Sequence, residues 1–134
     1  ISPVCSPEIA SLFDGDLLQL PKNQPLIHID RGDENVHLPR WDDWLQHANI
    51  QGIRSSRTLQ LNYSSMAIEA AVQGKGIMLG QATMVQEELQ AGKLVRLSDI
   101  SLPLNKPYYL IYPKRTLQKP MATEFLTWLN QECT

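Results

Sequence analysis

The chain of 134 residues is poor in basic charge. Its formal net charge is −2, and its 12 lysines and arginines are spread thinly, whereas a nucleic-acid-binding domain usually presents a basic face. The two local groups, Arg54 with Arg57 and Lys114 with Arg115 and Lys119, fit a solvated surface better than a DNA-binding one. We therefore expect that this chain alone does not bind DNA.

Cysteine is scarce as well. Cys5 and Cys133 lie at opposite ends of the chain, without a C-x-x-C motif or a histidine at ligand spacing, so no metal site is predicted. Nothing indicates secretion, and we expect two reduced thiols in a cytoplasmic protein. No apolar run approaches the roughly 20 residues that cross a bilayer. The sequence opens without Met in the strand-like "ISPVC", which suggests a piece of a longer protein.

Strand-like and helix-like segments alternate along nearly the whole chain. Short apolar segments predict strands at 2–6, 25–29, 57–62, 76–80, 93–97 and 107–113. Helical periodicity or capping residues predict helices at 6–13, 41–48, 65–73 and 84–91, and a last helix starting at Pro120. Ser6 is the expected N-cap of the first helix, and Thr83-x-x-Gln86 fits a capping box that opens the fourth. The second helix has one face of Trp41, Trp44, Leu45 and Ala48, and the third has a small face of Ala67, Ala70 and Ala71 that lets it lie close to a sheet. The pattern predicts an α/β sandwich with a largely parallel sheet and right-handed crossovers.

The glycine-rich segment "AAVQGKGIMLGQA" superficially suggests a phosphate-binding loop. A dinucleotide fingerprint runs from strand to G-x-G-x-x-G to helix, but here the predicted helix comes first and the strand follows. The spacing G-x-G-x-x-x-G is also wrong, and no Walker motif is present. We interpret Gly74 as the end of a helix in a left-handed conformation and Gly76 as the entry into the sheet.

Polar residues follow three predicted strands at their carboxyl ends. Ligands bind outside the carboxyl ends of strands in open α/β sheets, so these residues predict one wall of a small-molecule cleft. Taken singly, each Ser or Thr is better explained as a helix cap. The set comprises His28, Asp30, Ser64, Ser65, Gly80, Gln81, Ala82 and Thr83.

The sequence gives less support for a catalytic site than for a binding cleft. His28 would be placed to polarise a serine such as Ser64, but no G-x-S-x-G elbow is present. Asp42 and Asp43 are adjacent on a predicted helix, so they point in different directions and do not form an acid/base pair. We expect no catalytic residues, no cofactor and no enzymatic activity.

In order, several segments resemble the effector-binding region of LysR-type transcriptional regulators. They are "PVCSPE", "PLIHID", "WDDWL", "LNYSSMAIEAAVQGKGIMLGQATMVQEELQAGKLVRL", "YYLIYP" and "FLTWL". The tryptophan-containing helix is most similar to the subgroup with the glycine-cleavage activator and the β-lactamase regulator. The resemblance covers essentially all 134 residues.

The resemblance implies a periplasmic-binding-protein-like (type 2) fold, in which two α/β subdomains flank a cleft that holds a small effector. Residues 1–103 would form the second subdomain, including an N-terminal crossover strand. Residues 104–134 would supply a return strand and a C-terminal helix to the first subdomain. The winged helix-turn-helix and most of the first subdomain would be absent, leaving Phe125, Leu126 and Leu129 of the last helix without their native sheet.

The resemblance also implies site residues and partners. The family's turn after the Gly-x-Gly strand lines the effector pocket, and here this turn comprises Gly80, Gln81, Ala82 and Thr83. Further strand residues would face the cleft, here His28 and Tyr108. Ser64 and Ser65 are additional candidates beside them. Several members have proline in place of Gln81, so this pocket would be more polar. Implied partners are a small effector, promoter DNA through the missing domain, and further copies in a homodimer or homotetramer, without a membrane. The alternative is a solute-binding protein of a transport system with the same fold.

Overall fold

The computed structural model describes residues 1–13, 15, 24–32, 38–51, 57–104 and 106–133. Arg54 of the first basic group lies outside these residues. The described elements are β1 (Ser2–Cys5), α1 (Pro7–Ser11), β2 (Leu26–Ile29), α2 (Trp41–His47), β3 (Thr58–Leu61), α3 (Ser64–Val72), β4 (Ile77–Gly80), α4 (Gln86–Gln90), β5 (Val95–Arg96) and α5 (Ala122–Glu132), with a 3₁₀ turn at Lys114–Gln118.

The five strands form one mixed sheet in the order β3-β2-β4-β1-β5. β2 is parallel to both β3 and β4, whereas β1 is antiparallel to both β4 and β5. Four strands therefore run in one direction, and the α/β prediction is confirmed. The exception is β1, whose reversal the sequence did not reveal because a buried antiparallel strand and a buried parallel one share the same apolar pattern.

Two apolar clusters cover the two faces of the sheet. Successive strand residues point to opposite faces, so Leu26 and Ile77 join one cluster while Ile27 and Met78 join the other. The first of these clusters contains both tryptophans of α2 and Ile9 of α1. The second contains Ala67 and Ala71 of α3, with Val4, Val85 and Leu94. Both alanines are fully buried, so α3 packs close to the sheet, as its small residues predicted.

The tryptophan helix α2 is fixed by both of its indole rings. The Trp41 Nε1–H donates to the Ile27 carbonyl at 3.0 Å, and the Trp44 Nε1–H donates to the Ile100 carbonyl at 3.3 Å. The two rings meet edge to face, with centroids 6.1 Å apart. Each buried polar tip thus has a partner, which lets two large aromatic side chains fill the core. The predicted helical face is confirmed.

The glycines after α3 have the architectural roles that their order predicted. Gly74 has φ +69°, in the left-handed region that ends a helix. A Cβ on Gly76 would lie 2.5 Å from the Pro25 carbonyl oxygen. The Ile77 N–H donates to that same oxygen at 2.9 Å, which starts the pairing between β4 and β2. Gly76 is therefore the point where two backbones approach too closely for a side chain.

Two of the predicted strands differ in the structure. Residues 107–113 contain no strand, because nothing in the described part of the chain pairs with them, and Tyr109 and Ile111 are exposed. Residues 93–97 form a strand only at β5, since the Lys93 and Leu94 amides donate instead to the Glu88 carbonyl of α4. A strand requires a neighbour's backbone, which an apolar run cannot supply by itself.

Two helix starts also differ from the prediction. The predicted capping box at Thr83 does not form, because α4 begins at Gln86 with Val85 at its N-cap. The Met84 and Val85 amides donate to the Gln81 carbonyl instead, so Thr83 lies within a tight turn. The last helix begins at Ala122 rather than at Pro120. By contrast, Ser6 caps α1 as predicted, its Oγ accepting from the Ile9 amide at 3.4 Å.

The last helix packs against the 3₁₀ turn at Lys114–Gln118 and buries none of its described residues. Phe125 and Trp128 are more than half exposed, with ring centroids 5.8 Å apart. Of the face expected to lack cover, Phe125 is largely exposed, whereas Leu126 and Leu129 are partly buried. In the described part of the chain, we find no helix with the length and hydropathy needed to span a bilayer.

Candidate functional site

A cavity opens at one edge of the sheet, where β2, β3 and β4 end. These strands are mutually aligned, so their carboxyl ends meet at this edge. The amino end of antiparallel β1 also reaches it, because Ser2 lies opposite Gly80. The cavity has a volume of about 340 Å³, near the lower limit for small-molecule sites. Its position is the one predicted from the strand ends.

The cavity combines polar and apolar walls. Apolar side chains of the sheet, α3 and the turn before α4 form one part, among them Ile29, Ile68 and Met84. Polar and charged side chains form the remainder: His28, Asp30, Arg31, Arg40, Gln60, Ser64 and Gln81. A ligand here would contact both hydrocarbon and hydrogen-bonding groups, as in most small-molecule sites.

The turn after β2 positions the charged groups. The Asp30 amide donates to the Leu61 carbonyl at 2.7 Å, which joins this turn to the end of β3. The Asp30 carboxylate accepts from the Gly32 amide at 3.0 Å and from Gln60 Nε2 at 2.9 Å. Between these anchors, Arg31 Nη2 donates to Ser64 Oγ at 2.6 Å, which links the turn to the first residue of α3.

His28 is a half-buried member of the same wall. Burial lowers the pKa of its imidazole below the ordinary 6.5, and the Asp42 carboxylate opposes that shift. The ring is therefore mainly uncharged near pH 7, with one nitrogen as a donor and the other as an acceptor. It adds hydrogen-bonding capacity to the cavity at neutral pH rather than positive charge.

Gln81 joins the cavity to the segment beyond residue 104. The Tyr108 hydroxyl donates to Gln81 Oε1 at 3.1 Å, and Gln81 Nε2 donates to Thr83 Oγ1 at 3.3 Å. The backbone carbonyl of Gln81 accepts from the Met84 and Val85 amides, so the residue is fixed on its own turn. A single side chain thus touches the cavity, the turn before α4 and the return segment.

Comparison with known proteins now decides the family. A family model described as "LysR substrate binding domain" matches residues 2–134. The chain belongs to the LysR substrate-binding domain family. The resemblance found in the sequence is thereby confirmed.

Relatives of this LysR-family domain are transcriptional regulators. The chain is 34% identical to the HTH-type regulator y4mQ of Sinorhizobium fredii, over 99% of this chain and 43% of the relative. It is 29% identical to the activator AmpR of Citrobacter koseri, over 96% of this chain and 41% of the relative. It is 26% identical to the Escherichia coli glycine cleavage activator, over 95% and 40%. The chain therefore spans about two fifths of the length of these curated relatives.

Solved structures agree on the fold. The AmpR effector domain of Pseudomonas aeruginosa superimposes with a TM-score of 0.64 at 23% identity, covering 98% of this chain and 60% of that chain. A substituted effector-binding domain from Citrobacter freundii gives a TM-score of 0.68 at 22% identity, covering 99% and 63%. At such identity the likeness shows the fold alone, which is the periplasmic-binding-protein-like type 2 fold of LysR-type effector domains.

The structure brings only some of the predicted site residues of this LysR-family domain together. His28, Ser64 and Gln81 line the cavity, and Tyr108 reaches it through Gln81. Gly80 is buried beneath it, where a Cβ would lie 2.8 Å from Val4 Cγ2. Packing therefore explains the glycine at this position, because Val4 leaves no room for a side chain.

The other predicted positions lie elsewhere. Ala82 and Thr83 line a second, more open depression with Gln86, Leu89 and Arg96. Ser65 is exposed on α3 and lines neither of these two hollows. Their roles in effector binding stay predictions.

Arg31, Arg40 and Gln60 line the cavity but were not among the residues predicted from sequence. Arg31 directly follows Asp30, so the strand-end rule that marked Asp30 would have reached it one residue later. The sequence gave no comparable indication for Arg40. This residue precedes α2, and only the fold brings the start of α2 beside the end of β2.

The described residues provide neither a metal-binding cluster nor a reactive buried thiol. They contain no group of three His, Cys, Asp or Glu side chains that would hold a metal ion. Cys5 is fully buried, and burial raises the pKa of its thiol to about 12. Such a thiol is not a nucleophile at neutral pH. Both cysteines are free, in agreement with the expected reduced state.

Proposed function

We propose that this chain is the effector-sensing part of a LysR-type transcriptional regulator. The observation that carries the proposal is the cavity at the carboxyl edge of the sheet, where Arg31, Ser64 and Gln81 converge. Membership of the LysR substrate-binding domain family supports it. The effector is a small metabolite, and its binding changes how the full protein contacts promoter DNA.

The Tyr108–Gln81 hydrogen bond supports an effector site that is shared between two subdomains. Residues 1–103 are proposed as the second subdomain and residues 104–134 as a return segment that belongs with the first. The return segment reaches the cavity through this bond, which is 3.1 Å long. Its exposed aromatic side chains, among them Tyr109 and Phe125, fit a surface that the rest of the first subdomain covers.

Signalling then requires that the effector bind one arrangement of the two subdomains better than the other. A differential affinity equivalent to about 1–3 kcal/mol is typical of such coupling. The winged helix-turn-helix that binds promoter DNA lies in the part of the regulator outside this chain, and the whole assembles as a homodimer or homotetramer in the cytoplasm. The domain itself is not an enzyme.

The competing function, solute binding for transport, uses the same fold. The curated relatives are transcriptional regulators, which favours sensing over transport. Finding a winged helix-turn-helix encoded upstream of Ile1 would support the regulator. A secretory signal there would support transport.

The experiment is a thermal-shift screen of a mixed metabolite library on the full-length protein, followed by calorimetry of each hit. We expect a Gln81→Leu variant to weaken the hit and to reduce its effect on DNA affinity. Gln46→Leu, an exposed position on α2, is the matched control and should leave both unchanged. No hit in the library, or hits unaffected by Gln81→Leu, would count against the site.

A further inference from the structure

We propose that Asp30 and Gln60 form a positioning pair in the effector site, and that neither binds the effector directly. The pair holds the turn after β2 so that Arg31 reaches Ser64. The inference rests on the proposed effector-binding function and adds two residues that tune it. It comes from a ring of hydrogen bonds that joins the end of β2 to the start of α3 beside the cavity.

Asp30 fixes the turn after β2 through three polar atoms. Its amide donates to the Leu61 carbonyl at 2.7 Å. Its carboxylate accepts from the Gly32 amide at 3.0 Å through Oδ1 and from Gln60 Nε2 at 2.9 Å through Oδ2. Although Asp30 lines the cavity, its N–H and both carboxylate oxygens therefore already have protein partners. An effector would have to share or break these bonds, which favours a positioning role.

The ring closes through the start of α3. Gln60 and Leu61 are the last two residues of β3, and Ser64, three residues further on, is the first residue of α3. Arg31 Nη2 donates to Ser64 Oγ at 2.6 Å. The turn after β2 is thus joined to one short stretch of chain at two levels, by the Asp30–Gln60 bond and by the Arg31–Ser64 bond.

The Arg31–Ser64 bond is where the ring meets the cavity, because both residues line it. A hydroxyl oxygen that accepts from a guanidinium still has its own hydrogen to donate, and hydrogen bonds in such a chain strengthen one another. Binding groups must be held to within about 0.5 Å of their productive position. A turn that moves away from β3 would shift Arg31 relative to Ser64, so the Asp30–Gln60 bond acts on effector affinity through them.

The pair can be altered without disturbing the core. The side chains of Asp30 and Gln60 are exposed, and neither belongs to the two apolar clusters that cover the faces of the sheet. Substitutions at such positions usually change stability little. A change in effector affinity at these residues would therefore report on the position of the turn rather than on loss of the fold.

Reversing the polarity of the pair breaks and then restores its bond. Gln60→Glu places a second carboxylate against Asp30 and leaves no donor between the two side chains. In that background Asp30→Asn restores the bond, because the asparagine Nδ2 donates to the new carboxylate while its Oδ1 still accepts from the Gly32 amide. Asp30→Asn alone should also be tolerated, since rotation of the Gln60 amide lets its Oε1 accept from the asparagine.

The test measures the affinity of each compound found in the metabolite screen, by calorimetry on the full-length protein. Gln60→Glu and Asp30→Ala should each weaken binding about three- to tenfold. Asp30→Asn, alone or combined with Gln60→Glu, should bind within about twofold of the wild type. Gln46→Glu adds the same charge at an exposed position on α2 and should change nothing. Thermal denaturation should show similar stability for all of these variants, which separates positioning from unfolding.

Hydrogen exchange followed by mass spectrometry tests the turn without any effector. The amides of Asp30 and Gly32 both donate hydrogen bonds that depend on a closed turn. Gln60→Glu should speed exchange in the peptide that contains them by about threefold or more, and Asp30→Asn in the same chain should reverse the change.

Other outcomes overturn the inference. Compounds that bind Gln60→Glu as tightly as the wild type, a defect that Asp30→Asn does not reverse, or exchange that Gln60→Glu leaves unchanged would each refute the positioning role. Equal losses in Asp30→Asn and Asp30→Ala would show that the carboxylate itself binds the effector. In these cases Gln81→Leu would still weaken binding, so the effector site would stand. A screen with no hit would count against the proposed function, and the exchange measurement would still decide whether the pair holds the turn.

Discussion

Replacing Gly76 by alanine tests how closely β2 and β4 must approach. The new Cβ would lie 2.5 Å from the Pro25 carbonyl oxygen and 3.1 Å from Ile27 Cγ1. The oxygen belongs to the backbone and already accepts from the Ile77 amide at 2.9 Å. It cannot move away without lengthening the first hydrogen bond between the two strands.

The size of the effect follows from two opposing terms. Forcing an extra carbon into a packed site costs roughly 1–3 kcal/mol, and an immovable backbone neighbour places this site near the top of that range. Alanine also lowers the entropy of the unfolded chain, which offsets about 0.4–1 kcal/mol. We therefore expect Gly76→Ala to lower the free energy of unfolding by about 2 kcal/mol.

The assay is equilibrium urea denaturation, with Gly92→Ala as the matched control. Gly92 has φ +68°, but a Cβ at this position would have no heavy atom within 4 Å, so alanine there meets backbone strain without a clash. We expect the control to lose about 1 kcal/mol or less, after the same offset. Equal losses at the two positions would refute the argument that close backbone approach, rather than conformation, requires Gly76.

Three further outcomes are expected. Ala67→Leu should lower the free energy of unfolding by about 1–3 kcal/mol because this side of α3 is fully buried, whereas the same change at partly exposed Ala70 should cost less; equal losses in urea denaturation would contradict the packing. Because burial lowers the pKa of His28, the unfolded chain binds its proton first, so stability should decline as pH falls through 6.5 towards the folded pKa; His28→Gln should flatten that part of the stability profile measured by thermal denaturation, and an unchanged slope would contradict it. Iodoacetamide should label exposed Cys133 but not buried Cys5 until denaturant is added; labelling of both thiols in the native protein would contradict the burial of Cys5.

Much of the fold follows from local patterns. Trp41 and Trp44 share a face of one short helix, and Ala67 and Ala71 permit another helix to lie close to the sheet; both patterns were legible in the sequence and both are observed. The glycines after α3 were likewise assigned to architecture because their order opposes that of a phosphate loop. Each of these inferences depends on residues within a few positions of one another.

The candidate site likewise has residues that the sequence predicted and contacts that only the fold reveals. The strand-end rule placed His28, Ser64 and Gln81 at one edge, because parallel strands bring their carboxyl ends together whatever their sequence separation. It could not show that Arg31 reaches Ser64, 33 residues away, or that Tyr108 reaches Gln81. Those contacts depend on side-chain reach across elements, which no local pattern encodes.

The sequence by itself determined which segments become helices, which glycines end a helix or lead into a strand, and at which edge of the sheet the cavity lies. Only the tertiary structure decided that β1 runs against its neighbours and that residues 107–113 do not pair as a strand. It also decided that Arg31 and Arg40 line the same cavity as Asp30. The physical reason is that helical periodicity and capping act within a turn or two of chain, whereas strand direction, strand pairing and the grouping of polar side chains are set by whichever distant residues the fold brings alongside.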